Sequence, residues 1–258
     1  MTARASRQPP GRYRFRHLAR MEWIKLRSLR STWLTLALAV CASAGIALAT
    51  GGSNTTSGGG FVSNTLVGML VGVLVSGVAG VLAMTSEYTS GTVSATFAAA
   101  PRRLGVLAAK AAVVGAVALV TGEAAAFLSF FAGCITLRYG ITAPALGQPG
   151  VLRAIVLTGA SLSLAGLFGL GLGTIIRHTA AAIAVVVGIV CVGGPLNLAI
   201  RPYLPIYIVS HSLSATTPLC LPGAASCWLS AWSGLGMLAG YAVLAMLLGG
   251  LILARRDA

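Results

Sequence analysis

The sequence predicts an all-α membrane protein: six transmembrane helices preceded by an amphipathic interfacial helix, with both termini cytoplasmic. Three observations predict it. Of 258 residues, 57% are apolar and only 9% are charged, against about 25% charged in an ordinary soluble domain. That is too little charge to coat a soluble enzyme, and a disordered chain would be poor in apolar residues. The apolar residues fall into six runs near the roughly 20 residues that a helix needs to cross a bilayer. Finally, the 18 Lys and Arg residues, set against four Asp and Glu for a net charge of +14, are not spread evenly. Nine precede residue 31 and most of the others flank apolar runs, which is a topology pattern rather than the clustered patch of a nucleic-acid binder. No nucleic-acid partner is expected.

The elements follow in order. Residues 1–13 (MTARASRQPPGRY) form a mobile basic tail. Residues 14–31 read as an amphipathic helix: at 100° per residue, Phe15, Leu18, Ala19, Leu26 and Leu29 share one arc, and Arg16, Arg20 and Arg27 a neighbouring one. Such a helix lies at a membrane surface with its arginines toward anionic headgroups. Glu22 sits on the apolar arc, out of place unless another element meets it or it snorkels to an arginine. The spans are about 32–50, 61–84, 105–133, 151–176, 180–200 and 231–254, together the transmembrane domain 32–258. Ala47-Leu48-Ala49 imitates a signal-peptidase site, but the run is long and its basic flank amphipathic, so a retained first span is expected.

Six spans place both ends on one side. With the N-terminus inside, 15 Lys and Arg fall on the cytoplasmic side and only Arg138, Arg153 and Arg201 on the other, a strong bias for N-in, C-in. Small residues recur at four-residue spacing: Gly68, Gly72, Ser76 and Gly80; Ser161, Ala165, Gly169 and Gly173; Gly236 and Gly240. Such stripes let helices approach closely in lipid, within one chain or across a dimer.

Catalytic patterns are scarce. The three histidines, His17, His178 and His211, have no partner at metal-ligand spacing, and neither HExxH nor a phosphate-binding GxxxxGK[ST] loop occurs. No enzymatic role and no metal or cofactor bound by this chain is expected. Of the five cysteines, Cys41 and Cys191 read as small buried hydrophobes. Cys220 and Cys227 share a loop where a disulfide is allowed. Glu123 stands 13 residues beyond Lys110, roughly 20 Å along a helix and so near mid-membrane. A charge there costs at least about 2.5–3.5 kcal/mol. It either lines a translocation path or is a neutral carboxyl hydrogen-bonded to a neighbouring helix. The polar segment 85–104, with Tyr88, Thr92, Phe97 and Pro101-Arg102-Arg103, offers a surface for a soluble partner or is a solvated loop that fixes topology.

Met21 to Trp33, MEWIKLRSLRSTW, resembles the N-terminal region of ABC-2 type transporter permeases. Glu87-Tyr88-Thr89-Ser90-Gly91-Thr92, followed by Pro101-Arg102-Arg103 and Lys110, is similar to the E-x-x-x-G-T … P-x-R … K pattern that these permeases carry after their second span. The resemblance covers about residues 14–258. It implies a permease subunit of an ATP-binding cassette exporter in a bacterial inner membrane, a dimer (homodimer or heterodimer with a second permease) served by separate ATPase subunits that bind ATP and Mg²⁺. It makes the surface helix, with Glu22, Lys25 and Arg27, the connecting helix. It makes Glu87, Tyr88, Thr92, Arg102 and Arg103 the ATPase-coupling segment, and it assigns Glu123 no role. Two other classes stay open: an ion-gradient-driven carrier and a non-transporting immunity or assembly protein.

Overall fold

The computed structural model describes residues 15–28, 30–51, 61–62, 65–91, 103–137, 144–148, 150–193 and 231–256. Within them all regular structure is helical: α1 (Phe15–Ser28), α2 (Arg30–Gly51), a 3-10 turn at Leu66–Gly68 leading into α3 (Met69–Thr89), α4 (Arg103–Ile135), α5 (Val151–Ile176), α6 (Thr179–Gly193) and α7 (Ala231–Arg256). Five helices, α2, α3, α4, α5 and α7, are long and apolar enough to cross a membrane, the character of a multi-pass membrane protein. The described part of α6 is apolar but has 15 residues, about 22 Å.

Two boundaries differ from the sequence expectation. Helix α3 continues through Thr89, so Glu87 and Tyr88 stand on a helix and not in a loop. The ion pairs described below satisfy Glu87 and let the helix run past the apolar segment. Helix α4 has 33 residues, longer than the apolar run at both ends.

Helix α5 is the centre of the bundle. It packs on α3, α4 and α7, and 61% of its most apolar stretch is buried against 22% for α2. Helices α3 and α5 approach backbone to backbone. A Cβ at Gly80 would collide with the Gly166 carbonyl, and one at Gly169 with the carbonyl of Gly77. Ser76 Oγ donates to the Leu162 carbonyl across the same interface at 2.6 Å. Ser163 Oγ of α5 donates to the Gly115 carbonyl of α4 at 2.8 Å, and Ser43 Oγ of α2 to the Gly68 carbonyl at 3.2 Å. In an apolar medium these bonds and close packing supply the association that water would otherwise drive. The stripes at Gly68–Gly80 and Ser161–Gly173 therefore serve packing within the chain. Gly236 and Gly240 face no described residue.

The contacts also order the helix ends. Gly51 of α2 meets Gly133 of α4 and Thr136 just beyond it, and Phe61 meets Phe130 edge-on at 6.3 Å, so these mark one end. At the other end Gly250 of α7 lies against Leu104 and Leu107 of α4, and α1 packs on the first turns of α4. Helix α1 and the last turns of α7 thus occupy the same end of the bundle. Cys41 is exposed on α2, correcting its reading as a buried hydrophobe: α2 is an outer helix among the described residues, with 22% of its apolar stretch buried. The Cys191 side chain lies outside the described residues.

Candidate functional site

The helix ends at the α1 side build a closed ring of four charges. Leu18, Glu22, Lys25 and Leu26 recur at helical spacing, so the face of α1 that buries Leu18 carries Glu22 inward with it. Leu18 packs on Val106 and Ala109 of α4, and Leu26 joins the cluster of Met84, Leu107, Val114 and Leu170. Lys110 follows Val106 by one turn of α4 and meets Glu22 directly.

Lys110 Nζ donates to Glu22 Oε2 at 2.7 Å and to Glu87 Oε1 at 3.0 Å. Lys25 Nζ donates to the same Glu87 oxygen at 3.0 Å and to Glu22 Oε1 at 3.3 Å. Each carboxylate therefore contacts both ammonium groups, and the ring is neutral overall. Glu22 is only 5% exposed and Lys110 4%, whereas the Lys25 side chain is 42% exposed. Partial burial opposes the charge on Lys25, but the Glu87 and Glu22 carboxylates outweigh it and hold its pKa above the ordinary lysine value of 10.5. The ring joins three elements, α1, the last turn of α3 and the second turn of α4, through contacts between residues 23, 62 and 88 apart in sequence.

A second contact continues the layer. The Arg177 guanidinium lies over the Tyr88 ring, 5.4 Å from its centroid, tying the end of α5 to the end of α3. Arg177 adopts a left-handed backbone conformation, φ 57°, and its N–H closes α5 on the Gly173 carbonyl at 3.1 Å. His178 Nδ1 accepts the Ala181 N–H at 3.4 Å, so two residues turn α5 into α6.

The expected site residues separate accordingly. Glu22, Lys25 and Glu87 come together, joined by Lys110. Tyr88 is beside them on α3. Arg27 is exposed and outside the ring. Arg103 opens α4, but its side chain, like Thr92, Arg102, Cys220 and Cys227, lies outside the described residues. Phe15, on the apolar arc of α1, is 52% exposed, whereas Leu18 on the same arc is buried against α4. Sequence reasoning found Glu22 as a misplaced carboxylate, but used Lys110 as a topology charge and as the lysine of the permease-like pattern, used Arg177 as a topology charge, and gave neither a partner. The signal for Lys110 was its position inside an apolar helical face.

Glu123 stands apart, on α4 against α5. Its carboxyl rests on Gly159, where an added Cβ would strike it, and Oε2 is buried without a hydrogen-bond partner among the described residues. Those residues hold no cluster of three His, Cys, Asp or Glu side chains suited to a metal ion. No protein-family model matches the chain, and no curated protein matches it.

Proposed function

We propose that this chain is the membrane permease subunit of an ATP-driven exporter. In this reading it has six spans, sits in a bacterial inner membrane with both termini cytoplasmic, and works as a homodimer or heterodimer with separate ATPase subunits that bind ATP and Mg²⁺. It does no chemistry itself. The observation that carries the reading is the Glu22–Lys25–Glu87–Lys110 ring. A surface helix locked by buried charges to the ends of two long apolar helices is suited to passing a push at the membrane surface into the bundle. ATP-driven closure of the partner ATPases would then bias a two-state arrangement of the spans. The segment after α3, with Arg102 and Arg103, is the proposed docking surface.

The test is purification of the tagged chain from its native membrane in mild detergent, followed by mass spectrometry. A co-purifying protein with a GxxxxGK[ST] loop, lost on Arg102→Glu, is expected. A preparation free of any such ATPase, under conditions that preserve other membrane complexes, overturns the reading. Glu123 Oε2, buried without a hydrogen-bond partner among the described residues, favours a second reading, an ion-gradient-driven carrier. Transport by the purified chain alone in vesicles, abolished by Glu123→Gln, would select it.

A further inference from the structure

Helix α1 turns different faces to different surroundings. Its inner face, with Leu18 and Glu22, is committed to the bundle. On the outer side Arg16, Arg20 and Arg27 are all exposed, and at 100° per residue they fall within roughly 40° of one another. They form a row along the helix, flanked on one side by Trp23 and on the other by Ile24, which is 57% exposed. The Trp23 ring meets Trp33 of α2 edge-on at 6.4 Å, and both indoles are exposed. The ring already engages the two nearby carboxylates, Glu22 and Glu87. None of the three arginines has an ion pair or hydrogen bond with a described residue.

We infer that Arg16, Arg20 and Arg27 are a binding row for the phosphate groups of anionic phospholipids in the leaflet on which α1 lies. Guanidinium groups take phosphate oxygens in bidentate fashion. Paired indoles beside them suit the headgroup depth, and exposed Ile24 and Met21 suit the acyl boundary just beneath. The charge left uncompensated by the protein is thereby compensated by the membrane. Because the same helix carries Glu22 and Lys25 on its other side, headgroups on the outer row hold α1 in the orientation that closes the ring. The inference stands whatever the bundle transports.

The experiment is native mass spectrometry of the full chain released from detergent containing equal phosphatidylglycerol and phosphatidylcholine. The wild type is expected to retain phosphatidylglycerol preferentially. The triple variant Arg16→Gln/Arg20→Gln/Arg27→Gln loses that preference by about fivefold per arginine, and the corresponding triple lysine variant keeps most of it. Preference should also weaken as salt rises and screens the row. Thermal unfolding in phosphatidylcholine alone checks that the triple variant is folded; if it is not, Arg20→Gln alone serves, with about a fivefold loss expected. Equal preference in the wild type and the folded glutamine variant overturns the inference, as does a wild type with no preference.

Discussion

Lys110 is a buried ammonium whose ion-pair partners among the described residues are the Glu22 and Glu87 carboxylates. Removing one member of such a group leaves the others desolvated without compensation, which typically costs about 3–5 kcal/mol. Lys110→Met should therefore lose that much stability in detergent-solubilised protein, read by thermal or denaturant unfolding. Exchanging Lys110, Glu22 and Glu87 together for methionine should cost less than Lys110→Met alone, since Lys25 is exposed enough to stay hydrated. A triple variant as unstable as the single would show that side-chain volume, not charge, holds the site. The pH dependence follows from Lys25. Its pKa is raised in the folded chain, so its contribution is fully present below the unfolded lysine value and disappears as pH climbs through the higher folded one. The stability difference between wild type and Lys25→Met should be constant from pH 7 to 9 and close at more alkaline pH. Because Lys25 is partly exposed, that difference is small. Glu22 was legible in the sequence as a misfit because local helical geometry alone exposes the conflict. Its resolution by Lys110 was not legible, because their sequence separation of 88 is closed only by the packing of α1 on α4.

Among elements, the α3–α5 interface is the tightest. Gly80→Val has no room to repack, since the obstructing atoms belong to the Gly166 backbone. Overpacking of about 1–3 kcal/mol or more is expected, seen as a lowered unfolding midpoint. Gly240→Ala faces no described residue and should be neutral or slightly stabilising, within the roughly 1 kcal/mol by which alanine exceeds glycine in a helix. A large loss at Gly240 would reveal another surface lying on α7. The two stripes look alike in sequence because both are small residues four apart. What distinguishes them is the neighbour each meets, and four-residue spacing carries no information about that. The extension of α3 to Thr89 was hidden for a related reason: a Glu and a Thr-Ser pair signal the end of an apolar run, and only the lysines from α1 and α4 make continued helix favourable.

For the whole molecule, the helix classes and most run positions were readable because bilayer thickness sets a minimum apolar length for any crossing helix. The packing order, with α5 at the centre, was not readable, since five apolar helices of similar composition differ only in where their small residues meet. That α1 and the last turns of α7 share one end agrees with an even number of crossings between them. In the proposed orientation a fluorescent protein fused after Ala258 should fluoresce and an alkaline phosphatase fused there should be inactive, the pattern of a cytoplasmic C-terminus. Active phosphatase would reverse the proposed orientation.

The length of α4 has a further consequence. Thirty-three helical residues extend about 50 Å, whereas the hydrocarbon layer is about 30 Å thick, and the average helix tilt of about 20° absorbs only a few ångströms of the excess. Lys110 is the eighth residue of this helix, so its first two turns belong to the charged layer, and the 25 residues from Ala111 to Ile135, about 37 Å, still exceed the hydrocarbon thickness. A bilayer of shorter acyl chains forces it to lean further or draws lipid up around its ends, and Lys110, near its start, moves with it. In a membrane, a change in thickness would therefore reach the charge ring through α4.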